Sequence, residues 1–435
     1  MLLDFTFSNY KSVNEKVTLS MERIKKLRED DIDATNVIHD KKSDVLKSAI
    51  IYGANASGKT NVVKAMSFMR DFVINSAREG QSGDDIPVFP FKFVQCDNPA
   101  SMFEIRFRQG EREYRYGFEL TTKKVVGEWL YIDEKEYFNR IENDFHLTDF
   151  PEGKSLQTKT RTNALFISVC ANFNGDISKQ VIGFFYQMRI VLVLESNEKP
   201  SFKNEYFDRL TALIRVADVG ISGIIKKRVT EKQVEEFAIR NINGYSHYTS
   251  ETKRDFLDML RNYLESENDQ IMTEHIVDDV VYELPLNVAS AGTHRLIDLS
   301  VFCLEAIDEN LIFIIDEFDA RLHPLLSREL IRYFHKESKQ AQLIMTTHDV
   351  TLMKSDSQRL GKPLFRRDQI WLLEKNHQQE TRLYSLAEFK KDDGASERRD
   401  ASYEKKYLEG RYGGIPILED FSELTHALTD QADEP

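Results

Sequence analysis

Gly53-Ala-Asn-Ala-Ser-Gly-Lys-Thr60 follows a short apolar run, Ser48 to Tyr52, and leads into Asn61 to Ala77, where Val62, Met66, Met69 and Phe72 recur at helical spacing. Strand, glycine-rich turn and helix in that order gather backbone N–H groups and the positive end of a helix around one point, an anion cradle. Each residue type suits a task there. Gly53 permits the tight turn, Gly58 lets the backbone approach phosphates, Lys59 reaches the β- and γ-phosphates of a nucleotide such as ATP, and the Thr60 hydroxyl ligates Mg²⁺. The cradle takes in Gly53, Asn55, Ala56, Ser57, Gly58, Lys59 and Thr60, with Asn61 following.

Downstream, Leu311-Ile-Phe-Ile-Ile-Asp316-Glu317 is an apolar strand ending in two carboxylates. Beside the cradle, Asp316 is placed to hold magnesium and Glu317 to orient or deprotonate an attacking water, a contribution typically worth about 10²–10⁴-fold in rate. Ser290-Ala-Gly292-Thr293-His-Arg295 precedes a helix expected over Leu296 to Ala306, so its hydroxyls and N–H groups gather at a helix start, as they also would in an ordinary N-cap. His348 ends the strand Leu343 to Thr347, where it can reach a γ-phosphate, and Asp319 lies just beyond the carboxylate pair. His323, in Arg321-Leu-His-Pro324, closes a turn.

Two distant segments therefore make one α/β core. An opening hairpin, Leu3 to Ser8 and Val17 to Met21, and strands at Met102 to Phe107, Glu113 to Leu120 and Val126 to Ile132 form a β-meander over the nucleotide lobe. Residues 1–162 are expected to be the N-terminal lobe, 163–285 a mainly helical insertion with Glu205 to Ala217 and Thr252 to Glu265 its clearest helices, 286–390 the C-terminal lobe, and 391–435 an extension. With 435 residues, 41% of them hydrophobic, and a net charge of -13, the chain is neither disordered nor a uniformly basic nucleic-acid coat. Cys96, Cys170 and Cys303 lack metal-ligand spacing and read as core residues of a reducing compartment. No apolar run approaches the roughly 18 residues that span a bilayer, so a cytoplasmic protein without membrane contact is expected.

The motifs together resemble the ABC-type AAA ATPases of the RecF, SMC and OLD kind, and more closely the RloA or AbiL-type ATPases of bacterial anti-phage defence. The resemblance rests on Phe7-Ser-Asn-Tyr-Lys-Ser12, Gly53 to Asn61, Ser290 to Arg295, Ile315 to Pro324, Thr347-His-Asp349, Arg367-Asp-Gln-Ile-Trp371 and Tyr407-Leu-Glu-Gly-Arg-Tyr-Gly-Gly-Ile-Pro416. It implies an ABC-type P-loop head binding ATP and Mg²⁺, with Ser290, Gly292 and Thr293 as the signature facing the opposite protomer's nucleotide, Asp319 as the D-loop and His348 as the switch histidine. It also implies a homodimer or higher homo-oligomer, and an effector protein encoded nearby, a toxin or nuclease, that the ATPase regulates. The alternative is a RecF- or SMC-like clamp on DNA, for which Lys25-Lys26 and Lys226-Lys227-Arg228 are the basic clusters. A transporter subunit is disfavoured by the long separation of Lys59 from Asp316 and the lack of a Leu-Ser-Gly-Gly-Gln signature; about fifty residues after the last core strand are too few for a nuclease domain. Gln95 is the candidate Q-loop residue.

Overall fold

A computed structural model describes residues 1–27, 29–93, 100–192, 199–217, 220–228, 269–353, 363–389, 397 and 401–415. The chain forms two compact units, one of Met1–Glu198, Ala306–Ala320 and Ser327–Pro435, the other of Lys199–Glu305 and Arg321–Leu326.

In the larger unit, strands with period-two burial build an antiparallel sheet. Its members are β1 (Leu2–Ser8), β2 (Val17–Ser20), β6 (Ser101–Gln109), β7 (Arg112–Leu120), β8 (Val125–Ile132), β9 (Lys135–Ile141) and β10 (Asp144–Leu147), in the order β10-β9-β8-β7-β6-β1-β2. This is the expected meander joined to the expected opening hairpin. Alternation sets the register: Phe103, Ile105 and Phe107 are buried while Met102, Glu104 and Arg106 are less so, and Phe5 and Phe7 of β1 pair with Ile105 and Phe103.

The central strands of the second sheet are nearly continuous apolar runs, as strands buried on both faces require. It contains β5 (Ser48–Gly53), β11 (Met188–Val191), β15 (Ile312–Ile315), β16 (Gln342–Thr346), β17 (Ile370–Lys375) and β18 (Thr381–Ser385) in the order β11-β15-β16-β5-β17-β18, parallel except for β18. A two-stranded pair, β3 (Val37–Ile38) with β4 (Val45–Leu46), and a helix, α1 (Asp30–Asn36), lie between β2 and β5 in the chain. Helix α2 (Lys59–Asn75) leaves β5 through the glycine-rich turn. Its Phe68 and Phe72 meet Phe103 and Phe118 of the antiparallel sheet, and its Val62, Met66 and Met69 join the core that includes Ile51. Helices α3 (Phe166–Asn172) and α4 (Asp176–Tyr186) complete that core.

The boundary expected at residue 163 accordingly moves to 199. Glu128, fully buried on β8, accepts hydrogen bonds from the N–H groups of Phe166 (2.6 Å) and Ile167 (2.9 Å) and from the Tyr116 hydroxyl, and faces Arg140 of β9 at 3.4 Å. A buried carboxylate so heavily bonded fastens the start of α3 to the meander, and β11 then pairs with β15 inside the core sheet.

The smaller unit contains α5 (Phe207–Val216), a sheet of β12 (Gly223–Arg228), β13 (Asp269–Val277) and β14 (Val280–Pro285), and the first part of α6 (Ala291–Glu309). Helix α5 lies where the amphipathic pattern placed one. The three strands were not anticipated: most of their residues are partly exposed, so polar and apolar side chains mix without a clean alternation. The helix expected over Thr252 to Glu265 lies outside the described residues. Among the described residues the remaining α-helices are α7 (Pro324–Glu337) and α8 (Tyr403–Leu408). Cys170 and Cys303 are buried free thiols, and no helix among the described residues is long and apolar enough to cross a membrane.

Candidate functional site

Strand β5 ends at Gly53 and α2 begins at Lys59. Between them Ala56 (φ 62°) and Gly58 (φ 109°) are left-handed, which closes the turn tightly ahead of the helix start, with the Ser57 N–H bonded to the Ala54 carbonyl at 3.1 Å. The Lys59 ammonium is drawn into this loop, donating to the carbonyls of Gly53 (2.7 Å) and Ala54 (3.1 Å). Burial holds its pKa down at about 8, opposed by the charges of Asp316, Asp319 and Glu317. Asn55 and Ala56 are exposed at the tip, and Ser57 and Gly58 are buried beneath.

Both motif glycines are needed for space, and Gly58 for its left-handed backbone as well. A Cβ at Gly53 would lie 2.4 Å from Ser57 Oγ and 2.8 Å from the Leu373 carbonyl, and one at Gly58 would lie 2.7 Å from Thr381 Oγ1 and 2.8 Å from Ser12 Oγ. Ser12 and Thr381 form a brace under the loop. Thr381 Oγ1 donates to the Ser57 carbonyl (2.8 Å), and Asn61 Nδ2 donates to Ser12 Oγ (2.7 Å), so the Asn61 side chain supports the cradle from behind. Neither Ser12 nor Thr381 was singled out as a site residue. The signal was present only as the Asn-Tyr-Lys-Ser12 motif, and Thr381 comes from the edge strand β18.

Across from the loop, Asp316 is buried between two hydroxyls. Thr60 Oγ1 donates to its Oδ2 (2.8 Å) and Thr346 Oγ1 to its Oδ1 (2.6 Å). Thr346 Oγ1 in turn accepts the Glu317 N–H at 2.8 Å, and Glu317 itself turns at φ 50°, an uncommon conformation for a non-glycine residue. Asp319 Oδ1 accepts from Thr347 Oγ1 (2.7 Å), and its carboxylate lies 3.3 and 3.4 Å from the His348 N–H. The residues read from distant motifs, Lys59, Thr60, Asp316, Glu317, Asp319 and His348, thus meet at the carboxyl end of the parallel strands β5, β15 and β16, where open α/β sheets place their sites. His348 is solvent-exposed, yet partial burial and then the charge of Lys59 lower its pKa, against the pull of Asp319, Glu317 and Asp316. Thr60 and Asp316 present hard oxygen donors to one point, the set that suits Mg²⁺ completed by water and phosphate oxygens. Among the described residues no cluster of three or more His, Cys, Asp or Glu offers a metal cage of protein ligands alone.

In the smaller unit, Ser290 caps α6: its Oγ accepts the Thr293 N–H (3.1 Å) and lies 2.9 Å from Thr293 Oγ1. The helix starts at Ala291, earlier than Leu296, which puts Gly292 and Thr293 in its first turn. A Cβ at Gly292 would come within 2.9 Å of the Arg321 carbonyl, so glycine allows those backbones to touch. His323 Nδ1 accepts the Leu325 N–H at 3.2 Å and closes its turn as expected. Gln95 lies outside the described residues.

Residues 48–180 and 199–354 match the family model described as "AAA domain, putative AbiEii toxin, Type IV TA system". The chain belongs to this AAA domain family. The matched residues of the AAA domain include Gly53 to Thr60, Ser290 to Thr293, Asp316, Glu317 and His348. No curated protein matches the chain. Similar solved structures include the SMC head domain from Thermotoga maritima, 13% identical with a TM-score of 0.39, covering 88% of this chain and 98% of that one. Another is an Smc head with an extended coiled coil bound to the C-terminal domain of ScpA, derived from Pyrococcus furiosus, 12% identical with a TM-score of 0.39 and covering 94% and 99%.

Two motifs of this AAA chain without evident phosphate chemistry acquire a place. Arg366 is fully buried and grips Asp368 through Nε and Nη2, both 2.9 Å, while pairing also with Asp33; Asp368 Oδ2 accepts the Ile24 N–H. Arg367 pairs with Glu29 at 2.6 Å and donates to the Glu397 carbonyl. Glu397 then accepts from Tyr412 Oη and Lys406 Nζ, both 2.9 Å, so Arg367-Asp-Gln-Ile-Trp371 and the Tyr- and Gly-rich segment meet at one residue.

Proposed function

We propose that this AAA domain protein hydrolyses ATP with Mg²⁺ in a head-to-head homodimer, and that the nucleotide cycle regulates an effector protein of an anti-phage defence system. The observation that carries the ATPase reading is the convergence of Lys59, Thr60, Asp316, Glu317 and His348 at one end of the parallel sheet. Thr60 and Asp316 would hold the magnesium, which when bound neutralises charge on the β- and γ-phosphates. The chain's own residues supply the rest. Lys59 neutralises the transferring phosphoryl group, Glu317 aligns a water in line with it, and His348 contacts the γ-phosphate and reports its loss through Asp319.

A head-to-head arrangement is supported by the exposed Ser290 cap of α6, whose hydroxyls and helix end suit an anion from a second protomer. The defence role is supported by the toxin–antitoxin description of the family and by the resemblance to RloA and AbiL-type ATPases. The basic cluster Lys226 to Arg228 lies on β12, where Lys227 pairs with Glu283, so it does not favour the DNA clamp. The test is Glu317→Gln: the variant is expected to retain ATP and accumulate as a nucleotide-dependent dimer in light scattering, whereas Lys59→Ala binds no ATP. Wild-type turnover in Glu317→Gln rejects the assignment.

A further inference from the structure

The Tyr407 to Gly414 segment takes no part in the proposed chemistry, yet it packs against two elements that position it. Helix α8 lies on the 3₁₀ turn Val350–Met353, which directly follows His348 and Asp349. Its Tyr407, largely buried, holds its ring 6.0 Å from that of Tyr52 at 57°, and Tyr52, the residue before Gly53, donates its hydroxyl to the Asp349 carbonyl at 3.2 Å. Asp349 is further fixed by its N–H on Thr347 Oγ1 and by Thr351, whose N–H and hydroxyl both bond Oδ1. From the other side, Tyr407 Oη donates to the Gly414 carbonyl at 2.9 Å. Gly413 and Gly414 are left-handed, and a Cβ at Gly414 would lie 2.8 Å from the Leu373 carbonyl, the same oxygen that bounds Gly53.

The segment therefore abuts the Leu373 carbonyl that also bounds Gly53 and, through one ring, touches Tyr52, the residue that anchors the loop after His348. We infer that Tyr407 is a positioning residue that holds Tyr52 on Asp349 and so sets His348 for turnover, making the C-terminal segment a control point for the nucleotide cycle. This rests on the ATPase reading. Two properties follow from the geometry. Loss of the contact moves the switch loop but leaves Lys59, Thr60 and the loop glycines in place, so turnover changes and nucleotide affinity does not. Tyr52 and Tyr407 act in series, so their effects do not add.

The test uses the full chain. Tyr52→Phe and Tyr407→Ala are each expected to lower kcat about five- to tenfold with ATP affinity within about twofold, and the double variant to lose no more than the worse single one. Tyr407→Phe, which keeps the ring, is expected to restore most of the turnover. Amide hydrogen exchange supplies a readout independent of hydrolysis: the peptide spanning 347–353 exchanges faster in Tyr407→Ala, while that spanning 53–60 does not. Unchanged exchange over 347–353, losses that multiply in the double variant, or losses confined to ATP affinity overturn the inference. A wild-type chain without turnover overturns the ATPase reading instead, and the exchange comparison still decides whether Tyr407 holds the switch loop.

Discussion

Thr346→Val removes one hydroxyl from the centre of the site and leaves its shape. Thr346 is fully buried, donates to Asp316 at 2.6 Å and accepts the Glu317 N–H at 2.8 Å, so valine leaves a buried carboxylate oxygen with one donor fewer and a backbone N–H without its acceptor. A hydrogen bond to a charged group contributes about 1.5–3 kcal/mol and an unsatisfied buried donor costs about 1–3 kcal/mol, so a stability loss of about 2.5–6 kcal/mol is expected. Turnover should suffer as well. The N–H bond holds Glu317 at its left-handed φ of 50°, and its release lets the carboxylate swing from its line of attack, lowering kcat by about 10- to 100-fold with little change in KM. Urea unfolding followed by intrinsic fluorescence and steady-state phosphate release measure the two effects on the same preparation. Thr346→Ser, which keeps the hydroxyl, should recover most of both. Turnover within about twofold of wild type together with an unshifted unfolding midpoint would refute the proposed role of this hydroxyl.

Two pH effects follow from charges held in unusual surroundings. Burial places the Lys59 pKa at about 8, below the lysine value of 10.5, so above about pH 8 the free site has lost its proton while a bound polyphosphate favours the ammonium. ATP binding should then take up a proton and weaken as pH rises through 8, which calorimetry in buffers of different ionisation enthalpy detects; no uptake at about pH 9 contradicts it. His335, on α7, is fully buried against Ser48 Oγ at 2.7 Å, and burial, then Lys47, lowers its pKa to about 3. Because the unfolded imidazole binds its proton near 6.5, this contribution to stability is complete above that pH and is lost progressively as pH falls towards 3; His335→Gln should flatten acid unfolding over that range, and an unchanged pH slope counts against it.

Much of this site could be read directly because its parts are short motifs whose spacing reports the local fold. Gly53 to Thr60 announced strand, loop and helix, and Leu311 to Glu317 announced a buried strand with carboxylates at its end; parallel pairing of β5, β16 and β15 then brings them together. What escaped reading came from elements with no phosphate chemistry of their own. Thr346 and Thr381 are ordinary strand residues until pairing sets one beside Asp316 and the other beneath Ser57. The Arg366 cluster is invisible in sequence because Asp33 and Asp368 are far apart in the chain. The segment 163–198 looked like the start of an insertion because α3 and α4 interrupt the strand pattern, and the contacts that tie them to the core, the buried Glu128 and the stacking of Phe184 on Phe107 among them, come from the distant meander. Strands β12 to β14 gave no alternation to detect.

In the proposed dimer the nucleotide site is shared between two protomers, one giving the phosphate loop and the other Ser290 to Thr293. Mixing two inactive variants tests it. Lys59→Ala spoils the loop and Ser290→Arg spoils the signature, so a dimer of one with the other keeps one intact pair of the two. In an equal mixture half of the dimers are mixed, and phosphate release should return to about a quarter of the wild-type rate. Turnover by Ser290→Arg alone, or a mixture as inactive as its components when mixed dimers are shown to form, would contradict a composite site.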